Sequence, residues 1–247
     1  MGTGLASAHE ASEGEMSPED EMSKIFFKQL ELGPMQNFVY LVGDPATRSL
    51  AVVDPAWEIE TILDEARRHD MEITHLFVTH FHPDHLGGRM MGMSVRGAAE
   101  LLAAGVQAKV YIHKDEAPYV NRVTDLSASD LHTVEGGDVV NVGQLPVKFI
   151  HTPGHTPGSQ CFLVGDSLVS GDTLFIGSCG RVDLPGSDPK KLYESLNTLG
   201  ELPDATRLYP GHNYASAPSS TIGEQKRRNP FMRFDSVQEF LSMMGYG

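Results

Sequence analysis

Short apolar runs bounded by turn residues recur along the chain, alternating with stretches where apolar positions repeat every three or four residues. Residues 38–42 and 50–53 are runs of Phe, Tyr, Val, Leu and Ala that predict two strands, with Gly43, Asp44 and Pro45 as the turn between them. Ile59, Ile62, Leu63 and Ala66 fall at i, i+3, i+4 and i+7, which predicts an amphipathic helix covering a sheet. A strand over 73–79 follows. Further strands are predicted at 109–113, 139–142, 147–150 and 160–164, another just before Gly171-Asp172, and a last one at 207–209. Asp188 ahead of Pro189 marks a helix start whose core face carries Leu192, Leu196 and Leu199. Ser236 and Glu239 form a capping box for a final helix with Val237, Phe240, Leu241 and Met244 on one face. Residues 118–137 read as a surface excursion with a short helix. Met90, Met91 and Met93 read as adaptable core filler, a substrate mouth being the alternative.

This order predicts an α+β protein. Two mixed sheets packed face to face, with helices on both flanks, form a four-layer αββα sandwich with polar loops along one edge. Residues 1–22 are Gly, Ala, Ser and Glu with almost nothing to bury, so they are expected to form a disordered acidic leader to a single domain spanning 23–247.

The formal charge of −14 would repel a phosphate backbone, and the one basic cluster, Lys226-Arg227-Arg228, is too short to reverse that field. Nucleic acid is therefore not an expected partner. No apolar run approaches the ~20 residues of a membrane span. Glu10, Glu13, Glu15, Glu19, Asp20 and Glu21 precede the first basic residue, Lys24, a pattern unlike a secretory signal or a transit peptide. Cys161 and Cys179 do not make a disulfide framework, so a reducing, cytoplasmic setting is expected. A homo-oligomer is left open.

The densest chemistry is Thr79-His80-Phe81-His82-Pro83-Asp84-His85-Leu86-Gly87-Gly88, directly after the apolar run Leu76-Phe77-Val78. The polar cluster thus stands where a strand gives way to a loop. Residues two apart on an extended chain share a face, so His80 and His82 can converge on one ion. Pro83 turns the chain, and Asp84 and His85 then face a second position. Imidazole and carboxylate suit Zn, and equally Fe or Mn, with positions left open for water or substrate. A solvated His-rich loop accounts for one such residue, not for four within six positions. Three more loops carry the same chemistry at strand ends: residues 152–158 with His155, Ser170-Gly171-Asp172-Thr173, and Tyr209-Pro210-Gly211-His212. Five His and two Asp on loops after strands point to a two-ion site.

These motifs resemble those of the metallo-β-lactamase-fold hydrolases over most of residues 25–235. The resemblance implies that family's αββα fold, in agreement with the element order. It implies that His80, His82 and His155 hold a first metal, and that Asp84, His85 and His212 hold a second, with Asp172 between them. The implied cofactors are two divalent ions, Zn first and Fe or Mn as alternatives. True β-lactamases of this fold carry Cys where this chain has Asp172, and the oxygen-reducing diiron branch carries Glu where it has His82. Neither branch fits.

Within the superfamily, Gly171-Asp172-Thr173-Leu174-Phe175, Cys179-Gly180-Arg181 and Tyr209-Pro210-Gly211-His212-Asn213-Tyr214 resemble the short forms of glyoxalase II, the hydroxyacylglutathione hydrolases. The implied activity is cleavage of a glutathione thioester by metal-bound hydroxide, with Asp84 orienting the nucleophile and a glutathione-linked small molecule as partner. Arg181 would contact the glutathione, and Tyr214 is a second candidate contact. Asp183 departs from the pattern, standing where an aromatic residue is expected. The C-terminal helical domain that completes the glutathione site of the long forms is not recognisable after His212. Cys179 to Asp183 and Ser220 to Pro230 also resemble the persulfide dioxygenase branch, where a single Fe(II) would sit on His80, His155 and Asp172. A non-catalytic metal-binding module is the third class, and it would be expected to have shed ligands. Cys161 is read as packing, Cys179 as structural, and His151 as a support beside the His155 turn.

Overall fold

The computed structural model describes residues 25–246, so the expected leader over 1–22 lies outside the described residues. The first sheet begins with β1 (Phe26–Leu32), β2 (Asn37–Asp44) and β3 (Ser49–Val53), an antiparallel meander. Helix α1 (Ile59–Arg68) crosses over to β4 (Glu72–Phe77), parallel to β3. The one-turn helix α2 (Pro83–Leu86) follows, then the hairpin β5 (Gly88–Met90) and β6 (Met93–Val95), and α3 (Ala98–Ala103). Strand β7 (Lys109–His113), helix α4 (Ala117–Val123) and strand β8 (Leu131–Val134) complete the sheet in the order β1-β2-β3-β4-β7-β8.

The second sheet takes β9 (Val139–Val142), β10 (Leu145–His151), β11 (Gln160–Val164) and β12 (Ser167–Gly171). A small hairpin, β13 (Leu174–Phe175) and β14 (Ser178–Cys179), then leads to α5 (Pro189–Gly200). Strands β15 (Arg207–Pro210) and β16 (Ser220–Thr221) run into α6 (Ile222–Arg228), and α7 (Val237–Met243) closes the described chain. The sheet order is β16-β15-β12-β11-β10-β9, with β12 and β15 parallel and the other pairs antiparallel. Both sheets are mixed, as expected from the sequence. Among the described residues, no helix is long and apolar enough to cross a membrane.

Strand alternation builds the layers. In β2, Val39 and Leu41 point to the outer core with Ile59 and Ile62 of α1, while Phe38, Tyr40 and Val42 point to the layer between the sheets. The same split separates Leu50 and Val52 from Ala51 and Val53 in β3. In β4, Ile73 and Leu76 share the outer face despite their odd spacing, because the register with β3 slips beside Thr74. Phe77 turns inward, its ring centroid 5.1 Å from that of Phe149 and 5.5 Å from that of Phe162 of the opposite sheet. Behind the second sheet, Leu192, Leu196 and Leu199 of α5 meet Leu168, Leu208 and Phe240. Asp188 caps α5, accepting from the backbone N–H groups of Lys190 and Lys191. At α7 the Ser236 hydroxyl accepts from Glu239 N, but Phe240 is the only fully buried member of the apolar face.

Three expectations are corrected. The 43–45 turn begins later, since Gly43 and Asp44 remain paired with Leu50 and Ser49. The excursion over 118–137 contains an edge strand, β8, paired parallel to β7. The methionines at 90–93 are not core filler: Met91 is 92% and Met93 54% exposed.

Phe77→Ala would remove the ring that holds the two sheets together. The expected cost is about 3–5 kcal/mol, read as a lowered midpoint in urea denaturation with an unchanged slope.

Candidate metal centre

The C-terminal ends of β4, β10, β12 and β15 lie along one edge of the sandwich, and each delivers ligands there. His80 and His82 leave β4 on extended backbone. His82 caps α2, whose Pro83 start turns Asp84 and His85 toward a second position. His155 comes from the β10–β11 turn, Asp172 from the end of β12 and His212 from the end of β15. Close approach requires glycine twice. Gly171 has φ +49, and a Cβ there would come within 2.6 Å of the Thr79 side chain; a Cβ at Gly211 would collide with Asp172 Oδ1. Backbone bonds from Phe38 N to Gly211 O and from Gln160 N to Thr79 O stitch the sheets together at this edge.

All seven expected ligands converge. Ligand atoms of His80, His82 and His155 lie within 4.8 Å of one another, as do those of Asp84, His85 and His212. Asp172 bridges the groups: its Oδ1 is 3.4 Å from His85 Nε2, and its Oδ2 is 3.5 Å from His212 Nε2 and 3.7 Å from His155 Nε2.

The hydrogen bonds fix which ring nitrogens face inward. His155 Nδ1 donates to Arg181 O at 2.8 Å, and His212 Nδ1 to Met35 O at 3.0 Å. His85 Nδ1 donates to Asp54 Oδ2 at 2.8 Å. The Thr79 hydroxyl donates its one hydrogen to Asp54, so it accepts from His80 Nδ1. Each of these four rings therefore turns an Nε2 lone pair toward the centre. There His155 Nε2 faces His82 Nδ1 at 3.1 Å, and His85 Nε2 faces His212 Nε2 at 3.2 Å. At the His85–His212 contact two neutral imidazoles would set lone pair against lone pair, which is unfavourable unless a proton or a cation lies between them. His80 Nε2 and Asp172 Oδ1 are buried without a hydrogen-bond partner, which costs free energy unless something else satisfies them. The donor set of imidazole nitrogens and carboxylate oxygens thus fits a pair of divalent cations.

The two positions differ electrically. Burial, reinforced by the neighbouring imidazoles, holds His80 well below the ordinary histidine value and His82 down at about 4. Burial works in the same direction at His85, but Asp172, Asp84 and Asp54 outweigh it and raise that imidazole well above its usual range. Burial opposes the ionised form of Asp172 and Asp84, and the nearby imidazoles more than compensate, holding both below the usual carboxylate range.

Three functional residues were not foreseen from the sequence. Asp54, at the end of β3 with φ +53, accepts from the Thr79 N–H and hydroxyl at 2.7 Å each and orients both His80 and His85. Asn37 donates to Asp84 Oδ2 at 3.1 Å while accepting from Trp57 Nε1. Glu116 is fully buried and accepts from Phe81 N at 2.8 Å and Gly158 N at 2.6 Å, tying the His80/His82 loop to the His155 loop. Burial pushes its carboxyl up to about 7 against those donors. The one signal available beforehand was the position of Asp54 directly after an apolar strand, which it shares with the ligand-bearing loops.

The centre opens into a cavity of about 720 Å³. Arg181 borders it, but its Nε and Nη2 both donate to the Asp183 carboxylate at 2.7 Å. Tyr214 stacks on His212 with ring centroids 4.6 Å apart and 10° between planes. Burial raises Cys161 and Cys179 to about 12, so neither thiol is a ready nucleophile. His151 donates to or accepts from no ligand; its ring stacks on His113, and its Nε2 meets Pro157 O at 3.0 Å.

A family model described as the metallo-beta-lactamase superfamily matches residues 32–212, the segment that carries every ligand. The chain belongs to that superfamily. It is 32% identical to a hydroxyacylglutathione hydrolase of Synechococcus sp. (strain JA-3-3Ab), over 81% of this chain and 85% of the relative. It is 31% identical to the human mitochondrial persulfide dioxygenase ETHE1, over 84% of this chain and 76% of the relative. The crystal structure of ETHE1 from Myxococcus xanthus superimposes with a TM-score of 0.76 at 34% identity, covering 89% of this chain and 90% of that one. The chain spans 52% of the length of another relative, a beta-lactamase hydrolase-like protein of Agrobacterium fabrum. The αββα fold follows from this membership, the superfamily binds divalent metals, and His/Asp groups able to hold such ions stand together in this chain.

Two outcomes are expected. Asp54→Ala frees His80 and His85 to rotate and should weaken metal binding about 10–100-fold, measured by competition with a chromophoric chelator. On acidification, protons compete for the raised His85 before the depressed His80 and His82. Metal content should therefore fall in two steps as the pH is lowered, the ion at Asp84, His85 and His212 leaving before the ion at His80, His82 and His155, by dialysis and elemental analysis.

Proposed function

We propose that the protein is a metal-dependent hydrolase of thioesters, in the manner of glyoxalase II. One observation carries this reading: the second position is complete, and each of its ligands is individually held. Asp84 is fixed by Asn37, His85 by Asp54 and His212 by the Met35 carbonyl. Two-ion chemistry uses all of this scaffolding, whereas under a single-ion mechanism the second set of ligands would be present but unused.

Divalent cations held by these residues would supply Lewis acidity, polarising a carbonyl and lowering the pKa of water toward about 7. The chain's own groups do the rest. His80, His82, His85, His155 and His212 would offer imidazole nitrogens to the cations, and Asp172 lies within reach of both positions. Asp84 borders the cavity and orients the attacking water. In the net reaction water adds its oxygen to the acyl carbon and the C–S bond breaks, giving a carboxylate, a thiol and a proton. A thiolate leaves readily and is protonated afterwards, so no strong general acid is required at the far side of the cavity. Glutathione is the thiol implied by the hydroxyacylglutathione hydrolase relative, although the Arg181 expected to meet it is occupied by Asp183. Zinc is the first choice of metal, and the cytoplasm the expected setting.

A second reading has a specific observation in its favour, the 34% identity to the Myxococcus ETHE1 structure and 31% to the human persulfide dioxygenase. Under it one Fe(II) would use His80, His155 and Asp172.

The two readings separate in one experiment. Purified protein, loaded in turn with Zn, Mn or Fe(II), is given S-lactoylglutathione and acyl thioesters under argon, and glutathione persulfide in an oxygen electrode. Thiol release without oxygen is expected, and oxygen uptake with persulfide alone would overturn the hydrolase reading. His80→Ala and Asp172→Ala should each lower kcat/KM at least about a thousandfold. Near-normal turnover in either, with its metal content verified, would overturn the assignment.

A further inference from the structure

The hairpin β5–β6 places methionines where folding gains nothing from them. Its two-residue turn is Met91-Gly92, and both residues have positive φ, +50 and +79. Such a turn favours Asn, Asp or Gly at its first position, and a longer side chain is strained there. Met91 is nonetheless 92% exposed, so neither backbone preference nor core burial accounts for it. The hairpin base is rigidly seated. A Cβ at Gly87 would come within 2.6 Å of Gly97 Cα, and one at Gly88 would collide with the Val123 carbonyl. The tip therefore has a fixed aim, and Met90 and Met91 form one wall of the cavity above Asp84 and His155.

Met35, Phe175, Ile176 and Leu184 continue that lining. Arg181 is the only Lys or Arg among the described lining residues, and Asp183 already takes its charge. A cavity of about 720 Å³ has room for the thiol half of the substrate and an extended acyl chain together. Away from the metal ligands, a carboxylate would meet no free Lys or Arg among the described lining residues, whereas an aliphatic chain would meet flexible, polarizable thioethers suited to it.

We propose that the acyl half of the substrate is an extended apolar chain, received by the Met90–Met91 wall. The inference rests on the thioester reading of the centre and adds the class of acyl group to it.

The test uses the full chain loaded with metal and two sets of probes. The first is the series of acetyl, butanoyl, hexanoyl and octanoyl thioesters of N-acetylcysteamine, with S-lactoylglutathione beside it. The second is the pair of uncleavable thioethers S-methyl- and S-octyl-N-acetylcysteamine, whose binding is measured by calorimetry. Affinity and kcat/KM should rise about two- to fourfold per added methylene. Met91→Ser should flatten that dependence. Met243→Ser, at a methionine that is 56% exposed and outside the cavity lining, should not. Equal affinity for the two thioethers would overturn the inference, as would a preference for S-lactoylglutathione over the octanoyl ester. An unchanged slope in Met91→Ser, or a change of oligomeric state in place of selectivity, would do the same. If no thioester is cleaved yet the octyl thioether binds at least tenfold tighter and Met91→Ser removes the difference, the hydrolase reading fails and the apolar pocket stands.

Discussion

The structure is organised around a repulsion. Imidazole nitrogens face each other at 3.1 Å and 3.2 Å in a buried site, beside an Asp172 oxygen that has no hydrogen-bond partner. Left alone the rings would rotate apart or take up protons. They are kept from rotating because their other nitrogens are engaged with Thr79, Asp54, Arg181 O and Met35 O. Those hydrogen bonds orient the rings with one nitrogen turned to the centre, the arrangement that metal-bound imidazoles require.

Holding that arrangement falls to the two sheets together, since no single element carries the site. The ligand loops of β4 and β10 are joined through Glu116, and β2 meets the β15 loop through the Asn37–His212 bridge. Gln160 Nε2 donates to Val78 O at 2.8 Å across the same edge. The aromatic layer of Phe77, Phe149 and Phe162 beneath it resists sliding of one sheet over the other. The layer packing and the site geometry are thus one mechanical problem.

Hydrolase and dioxygenase readings share almost every residue, which is why relatives of both kinds match this chain at similar identity. The ligand set cannot separate them, because imidazole and carboxylate accept zinc and iron alike. What is particular to this chain lies around the centre: an Arg181 held by Asp183 and a methionine hairpin aimed at the cavity. These features bear on the substrate and leave the metal chemistry open.

The layered fold was legible in the sequence because strand alternation has period two and helix amphipathy a period near 3.6, so residues 38–42 and 59–66 declare their faces locally. The two edge strands of the first sheet, β1 and β8, went unread because an edge faces less core and carries a weaker apolar pattern. The ligands were legible for a similar local reason: His and Asp cluster within six positions or sit in Gly/Pro turns after strands. Asp54, Asn37 and Glu116 were not, since each acts across 25 or more residues of chain through a contact that no spacing encodes. By itself the sequence settled which side chains could hold metal and which faces would be buried, both set by short-range periodicity. Only the tertiary structure decided which ring nitrogen turns inward, that Asp183 occupies Arg181, and that Met91 stands over the cavity, because those depend on where separate loops come to rest against each other.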